Sequence, residues 1–475
     1  MSLPRIKLYP PHLDATLTLS DASELVSDAT NVIKHPFFPF LERNQAWTKY
    51  ADKGTPKDKV KHKDRPIRYA SRRDSYIFSH YRKILFPMYE RELEDLGIGH
   101  CVIAYRRVKQ QNNSGGKCNI HFASDAFSQI EALRDCVVIA LDIEKFFENL
   151  QHEHLLNIWW RLLGRPAQQN RNWRLPPDHF QVFKAITKFS YLEVESVYRE
   201  FGYIGEMNKP NGKKRIGYTV PRKKFPPRIC TAAEFRTRLT DKIKQNPNPY
   251  GIPQGSTISD LLANAYMLDF DSKMNEIISE LSGKYYRYSD DILIIVPSHV
   301  DWRHFIVSIQ DIMNTAAPGL NVHPKKTQVY EYRFNNLKQT LECKILSSKT
   351  GADGIEYLGF RFDGKHVFLK NSTISGVRRK IARAVKSSVR HYINSNSDRT
   401  LSELKSAFDC SSLISKFGRS KDFDRFAYKS WTFWTYVNKA HEIFGQKGKP
   451  ISKQFKDYKG IIRKKANDSF DSLSK

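Results

Sequence analysis

Three carboxylates in this chain have the residue type and the surroundings to do chemistry. Asp290 and Asp291 stand side by side in Tyr286-Arg287-Tyr288-Ser289-Asp290-Asp291-Ile292-Leu293-Ile294-Ile295-Val296. The stretch reads as a β-hairpin: an aromatic strand from Lys284 to Tyr288, a turn at Ser289 to Asp291, and a buried apolar strand from Ile292 to Val296. Adjacent carboxylates repel, and each is partly neutralised unless a cation sits between them. A divalent ion with oxygen ligands, Mg²⁺ rather than Zn²⁺, meets that need. Alone, the stretch also reads as a polar turn. A third acid decides the matter. The unbroken apolar run Cys136-Val137-Val138-Ile139-Ala140-Leu141 has the pattern of a strand buried on both faces, and it ends in Asp142. Acids at the ends of two neighbouring strands can hold two metal ions, the arrangement for in-line phosphoryl or nucleotidyl transfer.

These acids need elements to position them. After Asp142 the spacing of Leu155, Ile158, Trp159 and Leu162 predicts a helix. Between the acids, Gly251-Ile252-Pro253-Gln254-Gly255 is a tight loop that leads into Ser256-Thr257-Ile258-Ser259-Asp260-Leu261-Leu262. Thr257 and Asp260 have capping-box spacing, so a helix is expected to start there. A glycine-flanked loop running into a helix N-terminus is a phosphate cradle.

Asp142-x4-Phe147, Pro253-Gln254-Gly255 and Tyr288-x-Asp290-Asp291, in this order, resemble the palm of a reverse transcriptase. The resemblance extends to Gly319-Leu320-Asn321-Val322 with Lys326-Thr327, similar to the family's next motif, and to Glu356-Tyr357-Leu358-Gly359-Phe360, similar to its primer-grip hairpin. Lys63-Asp64-Arg65-Pro66-Ile67-Arg68 with Arg72 and Arg73 is similar to the segment that grips the triphosphate. It covers about residues 50 to 370. Gly251-x-Pro253-Gln254-Gly255-Ser256-x-x-Ser259 looks like the retron and group II intron enzymes. Asp260 departs from them where Pro is usual, as does Ser289 where Ala is common. A retron Val-Thr-Gly signature, a Cys/His endonuclease cluster and a ribonuclease H region are not recognisable. What remains is most similar to the defence-associated and abortive-infection reverse transcriptases of bacteria.

The resemblance implies a right-hand polymerase of class α+β, with fingers, a palm on an antiparallel sheet and a helical basic thumb. It implies RNA-directed DNA synthesis from deoxynucleoside triphosphates with two Mg²⁺, Mn²⁺ being a substitute ion. Asp142, Asp290 and Asp291 would be catalytic and bind metal, assisted by the Ile143 carbonyl. Phe147 would sit under the sugar and Gln254 against the incoming nucleotide. Tyr288 and Gly359 would support the primer end, and Lys326 would act at the pyrophosphate. Arg65, Arg68 and Arg72 are candidates for the triphosphate, since transferring phosphates need cationic donors. Three alternatives stay open: a template-independent or protein-primed DNA nucleotidyl transferase, an RNA-dependent RNA polymerase, and a non-catalytic RNA-binding scaffold. Phe147 argues against the second, and the acids at strand ends against the third.

The bulk properties agree with a polyanionic partner. The 475 residues carry a formal net charge of +28. An RNA template, DNA product and a dedicated non-coding RNA are the expected partners; no membrane is expected, because no apolar run reaches 18 residues. Six cysteines without CxxC spacing fit the thiols of a reduced cytoplasm. Residues 1–50 read as an N-terminal extension whose cluster Phe37-Phe38-Pro39-Phe40 packs. Residues 51–135 read as fingers, within which 51–65 form a charged connector, Tyr76 to Leu85 a helix, His100 to Val108 a strand and Asp125 to Leu133 a helix. The palm spans 136–365 with a basic insertion at about 165–250, where Gly202 to Arg228 should carry a hairpin. From His366 to Lys475 there are 24 Lys+Arg and 9 Asp+Glu, a difference of +15, so over half of the excess charge lies in this helical region. Val377, Ile381, Val385 and Val389 line one helix face there. Arg379, Arg383, Lys386 and Arg390 line another, set for a phosphate backbone.

Overall fold

The computed structural model describes residues 11–50, 60–110, 115–164, 174–208, 214–348, 351–419 and 431–472. The chain divides into two units that interleave in sequence. Each contains helices and β-sheet, so the fold is α+β, as expected from the sequence. No helix among the described residues is long and apolar enough to cross a membrane.

The first unit comprises residues up to Tyr105, Ile143–Asn275 and Ile306–Val322. Its sheet joins strand Phe40–Tyr50 antiparallel to Val60–Tyr69, and parallel to Ser190–Glu193, which pairs in turn with Lys244–Gln245. The expected charged connector is corrected here: Val60 to Arg65 belong to a strand, held by ten register pairs from Leu41↔Tyr69 to Tyr50↔Val60. The rest of that connector, 51–59, lies outside the described residues. Beside the sheet runs helix Arg72–Asp95, started by Ser71, whose hydroxyl accepts from the Asp74 amide. It buries Tyr76, Ile77, Phe78, Tyr81, Leu85 and Tyr89, and it contains the helix predicted from Tyr76 to Leu85. Phe37 and Phe40 both stack on Phe78, so the N-terminal aromatics are core. The predicted strand His100 to Val108 is instead a run of turns and bends that buries Cys101 to Ala104 without a ladder.

The second unit comprises Arg106–Asp142, Glu276–Phe305 and His323–Lys475. Its five-stranded sheet is antiparallel throughout, in the order Thr340–Ser347, Gln328–Asn335, Cys136–Asp142, Asp291–Pro297, Lys284–Tyr288. The two apolar runs are its central strands. Cys136 to Leu141 and Ile292 to Val296 are buried throughout, which is what an apolar run without alternation signals. A three-stranded sheet, Ile355–Tyr357, Phe360–Phe362 and Val367–Leu369, and helix Asn119–Leu133 close over the same core. After Leu369 the unit is helical. Helix Asn371–Asn394 buries Val377, Ile381, Val385 and Val389, the predicted face.

Candidate active site

Register places the acids. Across strands Cys136–Asp142 and Asp291–Pro297, Asp142 is the direct partner of Asp291. Across the neighbouring pair, Asp291 is the partner of Tyr288. Two residues, Ser289 and Asp290, therefore make the whole turn. Such tight hairpins need a positive φ, and Ser289 supplies it at 60° while remaining buried. Beneath it Arg287, fully buried, donates from its guanidinium to the Ser289 carbonyl at 3.1 Å. That bond ties the turn to the strand bearing Tyr288.

Like charges directly opposite each other on a sheet destabilise it. The electrostatics show the strain. Asp291 is exposed by surface area, yet its carboxyl is pushed up to about 7. Desolvation by the surrounding protein is the main cause, followed by Asp290 and then Asp142, with Lys370 and Lys326 pulling the other way. Lys326 reaches the site from the turn after His323, whose amide donates to the Asp142 carbonyl at 2.7 Å. Its ammonium lies on the Asp142 carboxylate. Asp142, Asp290, Asp291 and Lys326 thus form one cluster, as the sequence leads one to expect. Among the described residues no three Asp, Glu, His or Cys side chains already converge as a closed metal-ligand set. The donor chemistry nonetheless suits a hard divalent ion: burial and the neighbouring carboxylates together hold Asp291 far above the usual carboxylate range, and a dication relieves that repulsion. Ile143 follows Asp142 directly and bridges Val322.

Two further participants join the acids: Tyr357, from the segment similar to the primer grip, and Lys370, which no motif in the sequence marks. Tyr357 is buried, its hydroxyl has no hydrogen-bond partner, and it feels the charge of Asp291. Lys370 pairs with the buried carboxylate of Glu356 at 2.9 Å and lowers Asp291. It also initiates helix Asn371–Asn394. The places of both follow from strand pairing. The turn that brings them in is Leu358-Gly359, with φ of 46° and 92°. Both central residues at positive φ is the type I′ hairpin turn. The Gly359 carbonyl accepts from the Lys370 amide at 2.9 Å. Tyr288 lies beside Phe122, ring centroids 6.4 Å apart.

The nucleotide-side candidates form a second set, within the first unit. The Arg68 amide donates to the Gln254 carbonyl, and the Ile252 amide to the Phe147 carbonyl, both at 2.9 Å. A Cβ on Gly251 would come within 2.9 Å of the Glu148 carbonyl, and one on Gly255 within 2.8 Å of the Arg68 carbonyl. Both glycines hold positive φ, so a Cβ at either position would be strained as well as crowded. Backbone bonds thereby bring Arg68, Phe147 and Gln254 together. Phe146 is buried while Phe147, on the short 3₁₀ turn Phe146–Glu148, is half-buried. The loop does not start its helix as expected. Helix Ser259–Ala265 has no side-chain cap; Thr257 donates to the Ser75 carbonyl at 3.4 Å, and Asp260 pairs with Arg82 at 3.0 Å.

The arginines divide. Arg68 is held by Glu42 at 2.7 Å and lies over the rings of Phe189 and Tyr191. Arg65 lies on the opposite face of the same strand, by alternation. Arg72 is corrected. It is buried, and its guanidinium donates to the carbonyls of Asp14 at 2.9 Å and Pro227 at 3.0 Å. Those bonds fix the helix start and leave it no reach to a triphosphate. In the second unit, Arg379, Arg383, Lys386 and Arg390 are all exposed, the last three lining a shallow groove with Ser387, His391 and Asn394.

Residues 219–362 match the family model of the reverse transcriptase (RNA-dependent DNA polymerase). The matched segment contains the Gly251–Gly255 loop, the Asp290-Asp291 turn, Lys326 and the Leu358-Gly359 turn. The chain therefore carries a domain of the RNA-directed DNA polymerases, which are nucleotidyltransferases, and domains of this kind generally use divalent metal ions. No curated protein matches the chain. Among solved structures it is similar to apo telomerase of Candida tropicalis truncated from its C-terminal domain: 12% identity, TM-score 0.36, covering 74% of this chain and 60% of that one. Apo telomerase of Candida tropicalis follows, with 12% identity, TM-score 0.38 and coverage of 94% and 70%. Telomerase of Candida albicans in complex with a fragment of telomeric RNA gives 11%, 0.36, 94% and 68%. At this level of superposition the similarity carries no functional argument.

Proposed function

We propose that this protein is an RNA-templated DNA polymerase. The observation that carries the reading is the cross-strand pair Asp142 and Asp291, with Asp290 beside it in a two-residue turn and Lys326 on Asp142. A fold does not oppose carboxylates at the end of its central strands for stability, because the pair destabilises the sheet. Two Mg²⁺ ions at Asp142, Asp290, Asp291 and the Ile143 carbonyl would supply an activated primer hydroxyl and a steadied leaving group. The protein's own groups do the rest. Lys326 offsets the carboxylate charge and can donate a proton to the departing pyrophosphate. Arg68, tied through its amide to the Gln254 loop, binds triphosphate oxygens. Phe147 closes the space where a 2′-hydroxyl would lie, and Gln254 contacts the nucleotide. Tyr288 and the Leu358-Gly359 turn hold the primer end, and the basic helix Asn371–Asn394 follows the duplex backbone.

The setting we propose is bacterial antiphage defence, in a reduced cytoplasm. Support comes from the resemblance of Gly251–Ser259 to bacterial enzymes and from six cysteines that are all free thiols. The test is the purified protein with deoxy- or ribonucleotides, with and without primed RNA. Deoxynucleotide incorporation that requires and copies RNA supports the reading. Incorporation without template assigns instead a terminal or protein-primed transferase, and ribonucleotide incorporation an RNA polymerase.

A further inference from the structure

Strands Ile204–Asn208 and Lys214–Tyr218 form a two-stranded ribbon in the first unit that joins no other sheet. Its base is packed. Tyr218 meets Tyr198 and Phe225, Tyr203 lies 4.5 Å from Phe225, and the Thr219 amide donates to the Tyr203 carbonyl at 3.1 Å. Among the described residues the ribbon also leaves apolar side chains open to solvent. Ile216 is 58% exposed, Tyr218 39% and Val220 38%. An isolated two-stranded hairpin is at best marginally stable in water, so a core role does not explain it.

Its charge is one-sided. The 27 residues from Met207 to Ala233 contain eight Lys+Arg and no Asp or Glu. Of the cations just beyond, Arg238 and Lys242 pair with Glu200, and Lys244 with Glu193. On the ribbon Lys214 pairs with Glu206, at an exposed site. Arg215, Lys223 and Lys224 are exposed and meet no acid among the described residues, and Arg222 lies 5.4 Å from the Tyr218 ring centre. Unmatched cations beside an exposed aromatic and an exposed aliphatic side chain are what a nucleic-acid strand needs, phosphates on the former and bases or sugars on the latter.

We infer that the ribbon and the Arg222–Lys224 turn after it form an RNA-binding surface of their own, able to hold a structured RNA without a primer. The inference does not rest on polymerisation, and its deciding measurement, RNA binding, uses no nucleotide. The probe is an unprimed hairpin RNA, bound to the full chain at several salt concentrations, beside a DNA hairpin of the same sequence and vesicles containing phosphatidylserine. The variant replaces Arg215, Arg222, Lys223 and Lys224 with Gln. Each lost phosphate contact lowers the salt slope by about 0.7 to 0.9, so a drop of roughly three is expected for RNA. Extension of a pre-annealed primer at saturating template should be unchanged. An unchanged RNA slope overturns the inference, as does a loss confined to vesicles or DNA. If the four-site variant fails to fold, Lys223→Gln with Lys224→Gln, both on the exposed turn, should still lower the slope by about 1.5; no change in that pair overturns it equally.

Discussion

At the scale of single residues, the account turns on what each side chain near the aspartates does. Lys326 sits on Asp142 and weakens the repulsion around Asp291. Replacing it with Met should lower kcat by about 10² to 10⁴, the worth of a positioned proton donor. Binding of Mn²⁺, followed by electron paramagnetic resonance, should be no weaker, because a competing cation has gone. Weakened Mn²⁺ binding with kcat intact would remove Lys326 from the chemistry. Phe147 makes a separate claim. A buried hydroxyl left unpaired costs several kcal/mol, so Phe147→Ala should cut the preference for deoxy- over ribonucleotides by roughly a hundredfold. If Phe147 were only core, all activity would fall together and the ratio of catalytic efficiencies would stay. His12 carries a pH claim. Burial lowers its pKa from 6.5, with Asp14 opposing, and it stays neutral: Nδ1 accepts from the Leu13 amide, so Nε2 donates to the Tyr69 carbonyl. The unfolded chain then binds more protons below pH 6.5, and stability falls as pH drops from 7 towards 5. Thermal unfolding should show that loss, and His12→Gln should lessen it; an equal slope in the variant would assign the loss elsewhere.

At the scale of elements, much is legible in the amino-acid sequence. The two apolar runs are the central strands because only a doubly covered strand lacks alternation. The valine–isoleucine face of Asn371–Asn394 is readable because helical period and burial coincide there. Three expectations fail for one reason, that tertiary partners override local signals. The charged stretch after residue 59 is a strand because Leu41 to Tyr50 pairs with it. Thr257 and Asp260 have capping spacing but find Ser75 and Arg82 instead. Arg72 looks like a free cation until Asp14 and Pro227, far apart in sequence, close on it. Lys370 escapes notice on the same grounds: no spacing announces a contact made through a sheet. The basic helix gives this scale its prediction. Changing Arg379, Arg383, Lys386 and Arg390 to Gln should flatten the salt dependence of RNA–DNA duplex binding by about 0.9 per lost contact. An unchanged slope would mean that this face only meets solvent.

At the scale of the whole molecule, the excess positive charge and the opposed carboxylates ask for different things. The charge draws in a polyanion, and the carboxylates repel one. A polymerase reconciles them by keeping the acids in a small cluster, Asp142, Asp290 and Asp291, and spreading the cations over surfaces that follow the backbone. The central claim is therefore that the cluster makes the chemistry and not the binding. Its most direct test is the double variant Asp290→Ala with Asp291→Ala, assayed by extension of a DNA primer on a defined RNA with the product sequenced, beside binding of the same duplex. The account predicts a complementary DNA from the parent protein, none from the variant, and undiminished binding, since removing clustered negative charge favours a polyanion. DNA synthesis by the variant at the parent rate would contradict it.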